Sequence, residues 1–411
     1  MKKPSIAIIH YSCYPVIGGV ESVIDSHAKL LTENGYPVTI ISGKGEKTRK
    51  DVPVHRIDEL RTDHPAYTSA MKQVKTDTTA FDKAVQSIRT RLHKALKGID
   101  VCIAHNVMTM HFNLGIAWAI KEIADSGKGP RFINWIHDCT LNDPTYTDIC
   151  PPDQYPWSIL GMKQKMKYVV ISEQRREQVS RLFGISQRSL TVIPNGIDMA
   201  SFLKLTPTVD RIFHKERLDK YDIVALTPTR IVARKNLELG LDVLREIKAS
   251  GVAAKWLITG APDPHNPAVI TYFKWLKKKI TEYKLTKDVV FLSHKYKTSL
   301  SSEDVSSLFQ VSNVLFFLSK QEGFGIPLIE AGMAKLHILA SNIPPLKAAG
   351  GSNVTYVPLG GKDIRRPVKK LITEVSRSPV STMNKRVQRE YPWELIFKKK
   401  IEPLIKKAGR K

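Results

Sequence analysis

The sequence predicts an α/β fold in which two doubly wound parallel sheets form two domains that face each other across a cleft. Two observations support this prediction. Short β-branched runs alternate with amphipathic helical segments in each half of the chain, and a loop-rich stretch near residues 194–205 separates the halves. The length of 411 residues also exceeds what one hydrophobic core usually organises, so two domains are expected.

The first half opens with a strand–helix–strand unit. Residues 5–10 form a buried β-branched run, residues 20–34 have the apolar spacing of a helix that Gly35 ends, and residues 36–42 give a second strand. The connections are short, which favours a parallel sheet. The alternation continues with strands at 101–104, 132–136, 167–171 and 190–193 and a helix at 114–124. Residues 61–97 are basic and helical in spacing, and predict a helical insertion on the rim of this domain.

The second half repeats the pattern. Its strands are predicted at 223–227, 255–259, 289–292, 314–318 and 338–340, with helices between them. We therefore expect a first domain over 1–195, a second over 205–384, and a C-terminal helix over about 385–411 that packs back on the first domain.

The net charge of +25 would attract a polyanion, but its sign does not choose among nucleic acid, an anionic membrane surface and phosphorylated small molecules. Lysine runs such as 277–279 and 398–400 are read as solvated helix faces. No nucleic-acid partner is expected, peripheral contact with an anionic membrane stays open, and the oligomeric state is not predicted.

The cysteines and the hydropathy bear on location. Four cysteines show neither CxxC spacing nor histidines at zinc-ligand intervals, which favours a reduced, cytoplasmic chain with no metal site. The alternative is the inner face of the membrane. The apolar stretch near the N-terminus is too short for a signal peptide, and no stretch reaches about 18 apolar residues, so no membrane-spanning helix is expected.

The strongest motif covers residues 322–330 and follows the predicted strand 314–318. Gly323 and Gly325 let backbone N–H groups approach a ligand, and Pro327 suits the first turn of a helix, whose N-terminus is an anion site. Glu322 then lies in the loop, and Glu330 lies about one turn into the helix, where its carboxylate can accept hydrogen bonds from vicinal hydroxyls. The alternative is that Glu330 offsets the helix dipole and Glu322 is solvated.

Cations and glycines follow other strands. After strand 223–227, Arg230 offers a planar fork and Lys235 a point charge, which together suit a diphosphate, although surface cations are common in so basic a chain. Gly18 and Gly19 lie between the first strand and its helix. Three polar residues follow strands 101–104 and 132–136, where an interdomain crevice should open, although a histidine there is more often structural: they are His105, Asn106 and His137.

These motifs resemble those of retaining family-4 glycosyltransferases with the GT-B fold, which has two Rossmann-like domains. Residues 322–330 look like the family's EX7E element, residues 18–21 like its GGxE, and residues 194–198 like its PNGID segment. The order and spacing cover nearly the whole chain. One departure is Lys335-Leu336-His337, where the family usually has a turn ending in Gly-Thr-Pro.

The resemblance implies a role for each matching residue. Glu330 would hold the nucleotide ribose and Glu322 would face the hydroxyls of the donor sugar, while Arg230 and Lys235 would stabilise the diphosphate and His137 would reach the transferred sugar. His105 and Asn106 lie on the acceptor side. Other residues are also expected to bind the donor: some through the backbone, the glycines near the diphosphate, and some at the base. They are Gly18, Gly19, Ser293, Lys295, Phe324, Gly325, Ile326, Pro327 and Leu328.

The implied reaction is transfer of a hexose from a UDP- or GDP-sugar to an acceptor hydroxyl, with retention at the anomeric carbon. No cofactor is expected, and the absence of a DxD triplet argues against a metal-dependent alternative fold. Sequence does not separate a one-face mechanism from double displacement. The rivals are an epimerase or phosphorylase on the same architecture and, less favoured, a basic nucleic-acid or membrane-surface binding protein. For residues 61–97, contact with an anionic acceptor and exposure to plain solvent are equal alternatives.

Overall fold

The computed structural model describes residues 2–146, 149–361 and 363–409. These form two compact units. The first comprises the residues up to Gly196 together with those from Trp393 onward, and the second runs from Ile197 to Pro392. Each unit is built on its own sheet of parallel strands.

The first unit contains a seven-stranded sheet, with strands β1 Ile6–Ser12, β2 Val38–Lys44, β3 Val54–Arg56, β4 Val101–His105, β5 Arg131–Ile136, β6 Lys167–Val170 and β7 Leu190–Val192. Their order in the sheet is β3-β2-β1-β4-β5-β6-β7. Ile6 of β1 stands opposite Val38 of β2 on one side and Val101 of β4 on the other, so the strand order reverses between β1 and β4.

The helices of the first unit begin with α1 Gly19–Glu33, α2 Pro65–Gln73, α3 Thr79–Ala95, α4 Leu114–Asp125 and α5 Glu173–Phe183. The prediction that residues 61–97 form a helical insertion on the rim of the domain is wrong. The apolar face of α3 is fully buried in the main core of the unit, because α3 packs along α4 as part of the crossover to β4. The core residues of α3 are Phe81, Val85, Ile88 and Leu92.

The second unit contains a six-stranded sheet, with strands β8 Ile223–Thr227, β9 Ala254–Ile258, β10 Val289–Phe291, β11 Val314–Phe317, β12 His337–Ser341 and β13 Thr355–Val357. Their order in the sheet is β10-β9-β8-β11-β12-β13. Its helices are α6 Met199–Leu203, α7 Pro207–Glu216, α8 Leu237–Ala249, α9 Pro267–Glu282, α10 Leu292–Tyr296, α11 Ser302–Val311, α12 Ile326–Met333, α13 Pro344–Gly350, α14 Arg365–Arg377 and α15 Pro379–Glu390.

The chain returns to the first unit through a C-terminal helix. It runs through Trp393–Ile396, a π-helical turn at Phe397–Ile401 and Glu402–Gly409, and it packs its apolar face against the first sheet. This helix begins at Trp393 rather than near 385, because α15 belongs to the second unit. Residues 410 and 411, the end of the expected helix, lie outside the described residues.

Both units are Rossmann-like α/β structures, which confirms the predicted fold class. The three-residue edge strands β3 and β13 are additions to the predicted set. In the part of the chain that the structure describes, no helix is long and apolar enough to span a membrane.

Candidate functional site

The second unit brings together the loops that follow β8 and β11. These strands are neighbours at the point where the strand order of the sheet reverses, which is where open α/β sheets bind ligands. The Lys320 N–H donates to the Arg234 carbonyl at 2.8 Å and so ties one loop to the other. Two segments 90 residues apart in sequence, near 230 and near 320, therefore form one edge of the sheet.

Lys235 and Glu322 meet across these loops. Lys235 Nζ lies 2.5 Å from Glu322 Oε1, and each side chain is only 12% exposed. Arg234 adds a second cation, whose Nη1 lies 3.8 Å from the same oxygen. The Phe317 ring lies under the ammonium, with its centre 5.2 Å from Nζ. Because both side chains are mostly buried, charge interactions here are stronger than in bulk water.

The helix α12 starts directly after this carboxylate. Gly325 precedes it with φ at +105°, a conformation that L side chains rarely adopt, and an added Cβ would lie 2.7 Å from Leu346 Cδ2. Pro327 stands in the first turn, as predicted. Phe324 and Ile326 are exposed beside it, whereas the Leu328 side chain is buried in the core. The turn therefore presents backbone at the N-terminus of an eight-residue helix.

Arg230 and Glu330 are both exposed, and neither forms an ion pair within residues 2–146, 149–361 and 363–409. The backbone at Arg230 is held by Gly260. A Cβ at Gly260 would lie 2.3 Å from the Thr229 carbonyl oxygen, so only glycine allows the loop after β9 to pack so closely against it. Both charged groups are available to a ligand.

Ser293 and Lys295 are engaged in contacts with other residues of the second unit. The Ser293 hydroxyl donates to the Thr259 carbonyl at 2.5 Å, and Lys295 Nζ lies 2.5 Å from Glu216 Oε1. Burial opposes ionisation of Glu216, but hydrogen bonds from Lys255 and Lys295 outweigh it and lower the pKa of Glu216 to about 2. The ammonium of Lys295 is thus committed to a buried carboxylate, and its contact with the base stays a prediction.

A cavity of about 720 Å³ lies in the first unit, at the carboxyl ends of its central strands. Its walls combine charged and aromatic side chains. Among the described residues that line it, the carboxylates are Glu21, Asp63, Asp138 and Asp143, the cations are Lys44, Arg61 and Arg175, and the aromatic rings beside them are those of Tyr11, Phe112 and Tyr146.

The glycine turn before α1 shapes one wall of this cavity. A Cβ at Gly18 would lie 2.1 Å from Glu21 Oε2, so glycine leaves room for the Glu21 carboxylate to fold back. Glu21 Oε1 accepts a hydrogen bond from the Ser12 hydroxyl at 2.5 Å and lies 3.8 Å from His10 Nε2. Gly19 lines the cavity and has no atom within 4 Å of a virtual Cβ, so its backbone is open to a ligand.

Asn106 joins the ends of β4 and β5. It has φ at +61°, and its Oδ1 accepts hydrogen bonds from the N–H groups of His137 at 2.9 Å and Asp138 at 2.8 Å. Asp138 in turn lies 3.5 Å from Arg175. Asn106 is therefore a positioning residue for the Asp138 wall of the cavity.

The comparisons with known proteins follow this two-unit layout. The model described as "Glycosyltransferase Family 4" matches residues 17–201, and the model described as "Glycosyl transferases group 1" matches residues 208–374. This chain is a group 1 glycosyltransferase. The two matches are consecutive and together include the glycine turn of α1 and the Lys235–Glu322 pair.

The relatives of this glycosyltransferase are distant. It is 22% identical to a mannosylglucosylglycerate synthase of Thermotoga maritima, over 90% of this chain and 91% of the relative. It is 26% identical to the enzyme of the same name from Petrotoga mobilis, over 65% of each chain. It is 24% identical to the serotype-specific mannosyltransferase WbdA of Escherichia coli, over 66% of this chain but only 36% of WbdA.

A glycosyltransferase from Rickettsia africae aligns over 99% of both chains at 16% identity and a TM-score of 0.40.

The histidines predicted for this glycosyltransferase lie behind the cavity. His105 and His137 are buried, His105 Nδ1 lies 3.0 Å from His137 Nε2, and neither is among the described residues that line the cavity. Burial lowers the pKa of His137 to about 3, so its ring is neutral near pH 7. The structure therefore places His137 next to the cavity wall rather than in it, and its contact with the sugar stays a prediction.

Sequence reasoning missed His10, Lys44 and Arg175 as residues of the cavity wall. A signal existed for two of them. His10 and Lys44 lie at the carboxyl ends of β1 and β2, which is the edge where ligands of such sheets bind. Arg175 lies in α5, and only the pairing of β5 with β6 brings that helix to the same edge.

Proposed function

We propose that this glycosyltransferase transfers a hexose, with mannose as the first choice, from a UDP- or GDP-sugar to an acceptor hydroxyl with retention at the anomeric carbon. The observation that carries the proposal is the Lys235–Glu322 contact at the strand-order reversal of the second unit, directly before the glycine turn of α12. Mannose is preferred because the names of the relatives above specify mannosyl products or mannosyltransferase activity.

In this proposal, the second unit binds the donor. Lys235 and Arg230 stabilise the charge that develops on the diphosphate as the bond from the anomeric carbon to the phosphate oxygen breaks, and the N-terminus of α12 contributes in the same direction. Glu322 accepts hydrogen bonds from hydroxyls of the sugar. Glu330, exposed on α12 and without an ion pair among the residues described, accepts them from the ribose.

The acceptor then binds in the cavity of the first unit. Its described walls carry four carboxylates and three cations, and Arg61 is already engaged by Asp63 through two contacts of 2.9 and 3.0 Å. This balance does not favour an anion. Carboxylates beside aromatic rings suit a neutral, hydroxyl-rich molecule, because carboxylates accept hydrogen bonds from hydroxyls while rings cover apolar sugar faces. We therefore propose a saccharide acceptor in place of the anionic one.

The reaction proceeds without a metal in this proposal, since the cations of the β8 loop supply the charge stabilisation that a metal would otherwise give. The proton of the acceptor hydroxyl passes to the departing phosphate as the new carbon–oxygen bond forms. We also propose a cytoplasmic location, to which the four free, buried thiols are suited. Co-sedimentation with anionic vesicles at low and high salt tests peripheral membrane contact.

The test is a donor screen. The purified chain is incubated with GDP-mannose, UDP-glucose and other hexose nucleotides, with and without EDTA, and with saccharide acceptors. We expect release of the nucleotide diphosphate from one donor, unchanged by EDTA, and an α-linked product by NMR from an α-linked donor. Glu330→Gln and Lys235→Ala should both slow release. Undiminished turnover in both variants, or inversion in the product, would refute the proposal.

A further inference from the structure

The second unit holds a further cavity, of about 530 Å³, at the opposite edge of its sheet from the Lys235–Glu322 pair. It lies beside the amino end of β8 and under α14 and α15. Its apolar wall consists of Ile223, Val252, Ile372 and Val375. Since ligands of the transfer reaction bind at the carboxyl ends of the strands, this cavity has no part in the proposed function.

Beside this apolar wall, polar and charged side chains of α15 line the cavity, among them Arg386, Arg389, Glu390 and the amine of Lys385. Lys385 is only 7% exposed, and the buried positions of α15 are Lys385 and Gln388, where an amphipathic helix normally carries apolar residues. Lys385 Nζ has one hydrogen bond, to Gln388 Oε1 at 3.2 Å. It forms no salt bridge with any carboxylate of the described residues, although a buried ammonium needs such a partner.

The acidic groups nearby are already engaged with other cations. Arg389 donates to the Asp222 carboxylate at 3.0 Å and Arg386 donates to the Glu390 carboxylate at 3.1 Å. The Asp219 carboxylate lies 3.2 Å from Lys220 Nζ. Burial, reinforced by the charge of Arg389 and only partly opposed by Asp222 and Asp219, lowers the pKa of Lys385 to about 8. A substantial fraction of this amine is therefore neutral, and hence nucleophilic, near pH 7.5.

We propose that Lys385 and this cavity form a second ligand site, at which the ε-amine condenses reversibly with the carbonyl group of a small, largely apolar aldehyde or ketone. The nitrogen lone pair attacks the carbonyl carbon, and a proton moves from nitrogen to oxygen. The resulting carbinolamine loses water, so that a C=N bond replaces the C=O bond. The step needs no oxidant or reductant, and the apolar wall holds the body of the ligand.

The test uses benzaldehyde with sodium cyanoborohydride on the full chain at pH 7.5, followed by peptide mass mapping. The comparison residue is Lys278, on α9 of the same unit, whose side chain is 79% exposed. At this pH an ordinary lysine has a neutral fraction roughly 200-fold smaller than that of Lys385. The lower basicity of Lys385 also makes its neutral amine a weaker nucleophile, which offsets part of that difference. We expect Lys385 to be labelled ~10-fold faster than Lys278, with a rate that levels off above about pH 8.

Two controls separate this site from general lysine reactivity. Glyceraldehyde, a small uncharged but hydroxylated aldehyde, should lose the preference for Lys385, because it has no apolar body for the wall to hold. Lys385→Met should abolish the fast label without lowering the melting temperature, whereas Lys278→Met should leave it intact. Equal labelling of Lys385 and Lys278 by benzaldehyde, or a Lys385 rate that keeps rising beyond pH 9.5, would overturn the proposal. The labelling ratio of Lys385 to Lys278 and the pH dependence of the Lys385 rate, both measured on the unmodified sequence, are independent of transferase activity.

Discussion

At the scale of single residues, Lys235 is the group on which the donor site depends most. Its ammonium is mostly buried, it contacts Glu322, and it lies in the loop that precedes α8. We expect Lys235→Ala to lower kcat by about 10²- to 10³-fold, because a fixed charge near a developing anion acts mainly in the transition state. Steady-state kinetics with the donor identified by the screen would measure this.

The matched control is Lys320→Ala. Lys320 lies in the partner loop and pairs with Glu238 at 2.7 Å, so its removal tests a cation of the same region that does not contact Glu322. Its kcat should stay within about twofold of the original value. Equal losses in the two variants would mean that general loop disturbance, and not the Lys235 charge, controls turnover.

Gly18 and Gly19 give a second residue-scale prediction, because the two neighbours are constrained differently. A Cβ at Gly18 overlaps the Glu21 carboxylate, whereas a Cβ at Gly19 meets nothing within 4 Å. Gly18→Ala should displace Glu21 from Ser12 and raise the KM for the acceptor by about 10-fold. Gly19→Ala should fold normally and keep the Glu21–Ser12 contact, so its KM for the acceptor should rise by less than that of Gly18→Ala. A larger rise in Gly19→Ala than in Gly18→Ala would contradict this assignment.

At the scale of elements, α12 depends on the backbone conformation of the residue before it. Gly325 has φ at +105°, so Gly325→Ala should destabilise the second unit by about 1–3 kcal/mol from strain alone, with the contact to Leu346 adding to this. Gly332 lies inside the same helix with no atom within 4 Å of a Cβ, and Gly332→Ala should stabilise by about 0.5–1 kcal/mol. Urea unfolding of both variants measures the difference, and a shift of the same sign in both would rule out this explanation.

The elements also show how far sequence reasoning reaches. Buried parallel strands such as β8 and β11 were predicted because both faces are covered, which gives continuous apolar runs. The positions of Lys235 and of the 322–330 motif after such strands were predicted, and the structure adds the contact between Lys235 and Glu322. The edge strands β3 and β13 were missed because their sequences, VHR and TYV, each contain a single aliphatic residue and so show no continuous apolar run.

The limits of prediction are clearest at His105 and His137. Their sequence positions, at the ends of β4 and β5, were predicted correctly, but side chains alternate between the two faces of a strand. A one-residue uncertainty in where a strand ends decides whether a side chain enters a cavity or the core. Here the rings turn to each other, and Asp138 and His10 line the cavity in their place.

At the scale of the whole molecule, the two units differ in their buried titratable groups. The first unit contains a cluster of four buried histidines, His10, His27, His105 and His137. Neither ring nitrogen of His27 has a hydrogen-bond partner among the described residues. Burial lowers the pKa of His27 to about 3, with a small added effect from His137, and it lowers the pKa of His105 well below the usual value. In the second unit, His337 is only partly buried.

Acid should therefore unfold the first unit before the second. The pKa of His27 is about 3 in the folded chain and about 6.5 when unfolded, so the unfolded state binds more protons below pH 6.5. The stability that this neutral histidine contributes is present above pH 6.5 and falls by about 1.4 kcal/mol per pH unit as the pH drops toward 3.

Tryptophan fluorescence and amide hydrogen exchange between pH 7 and 4 would locate the loss, which should begin in strands β1, β4 and β5. His27→Phe keeps a ring against Trp135 and Trp393. In this variant the free energy of unfolding should depend on pH less steeply, by the equivalent of one proton. The exposed His214→Phe should leave it unchanged. Earlier exchange in the second sheet, or an unaltered slope in His27→Phe, would show that carboxylate protonation and not the histidine cluster governs acid unfolding.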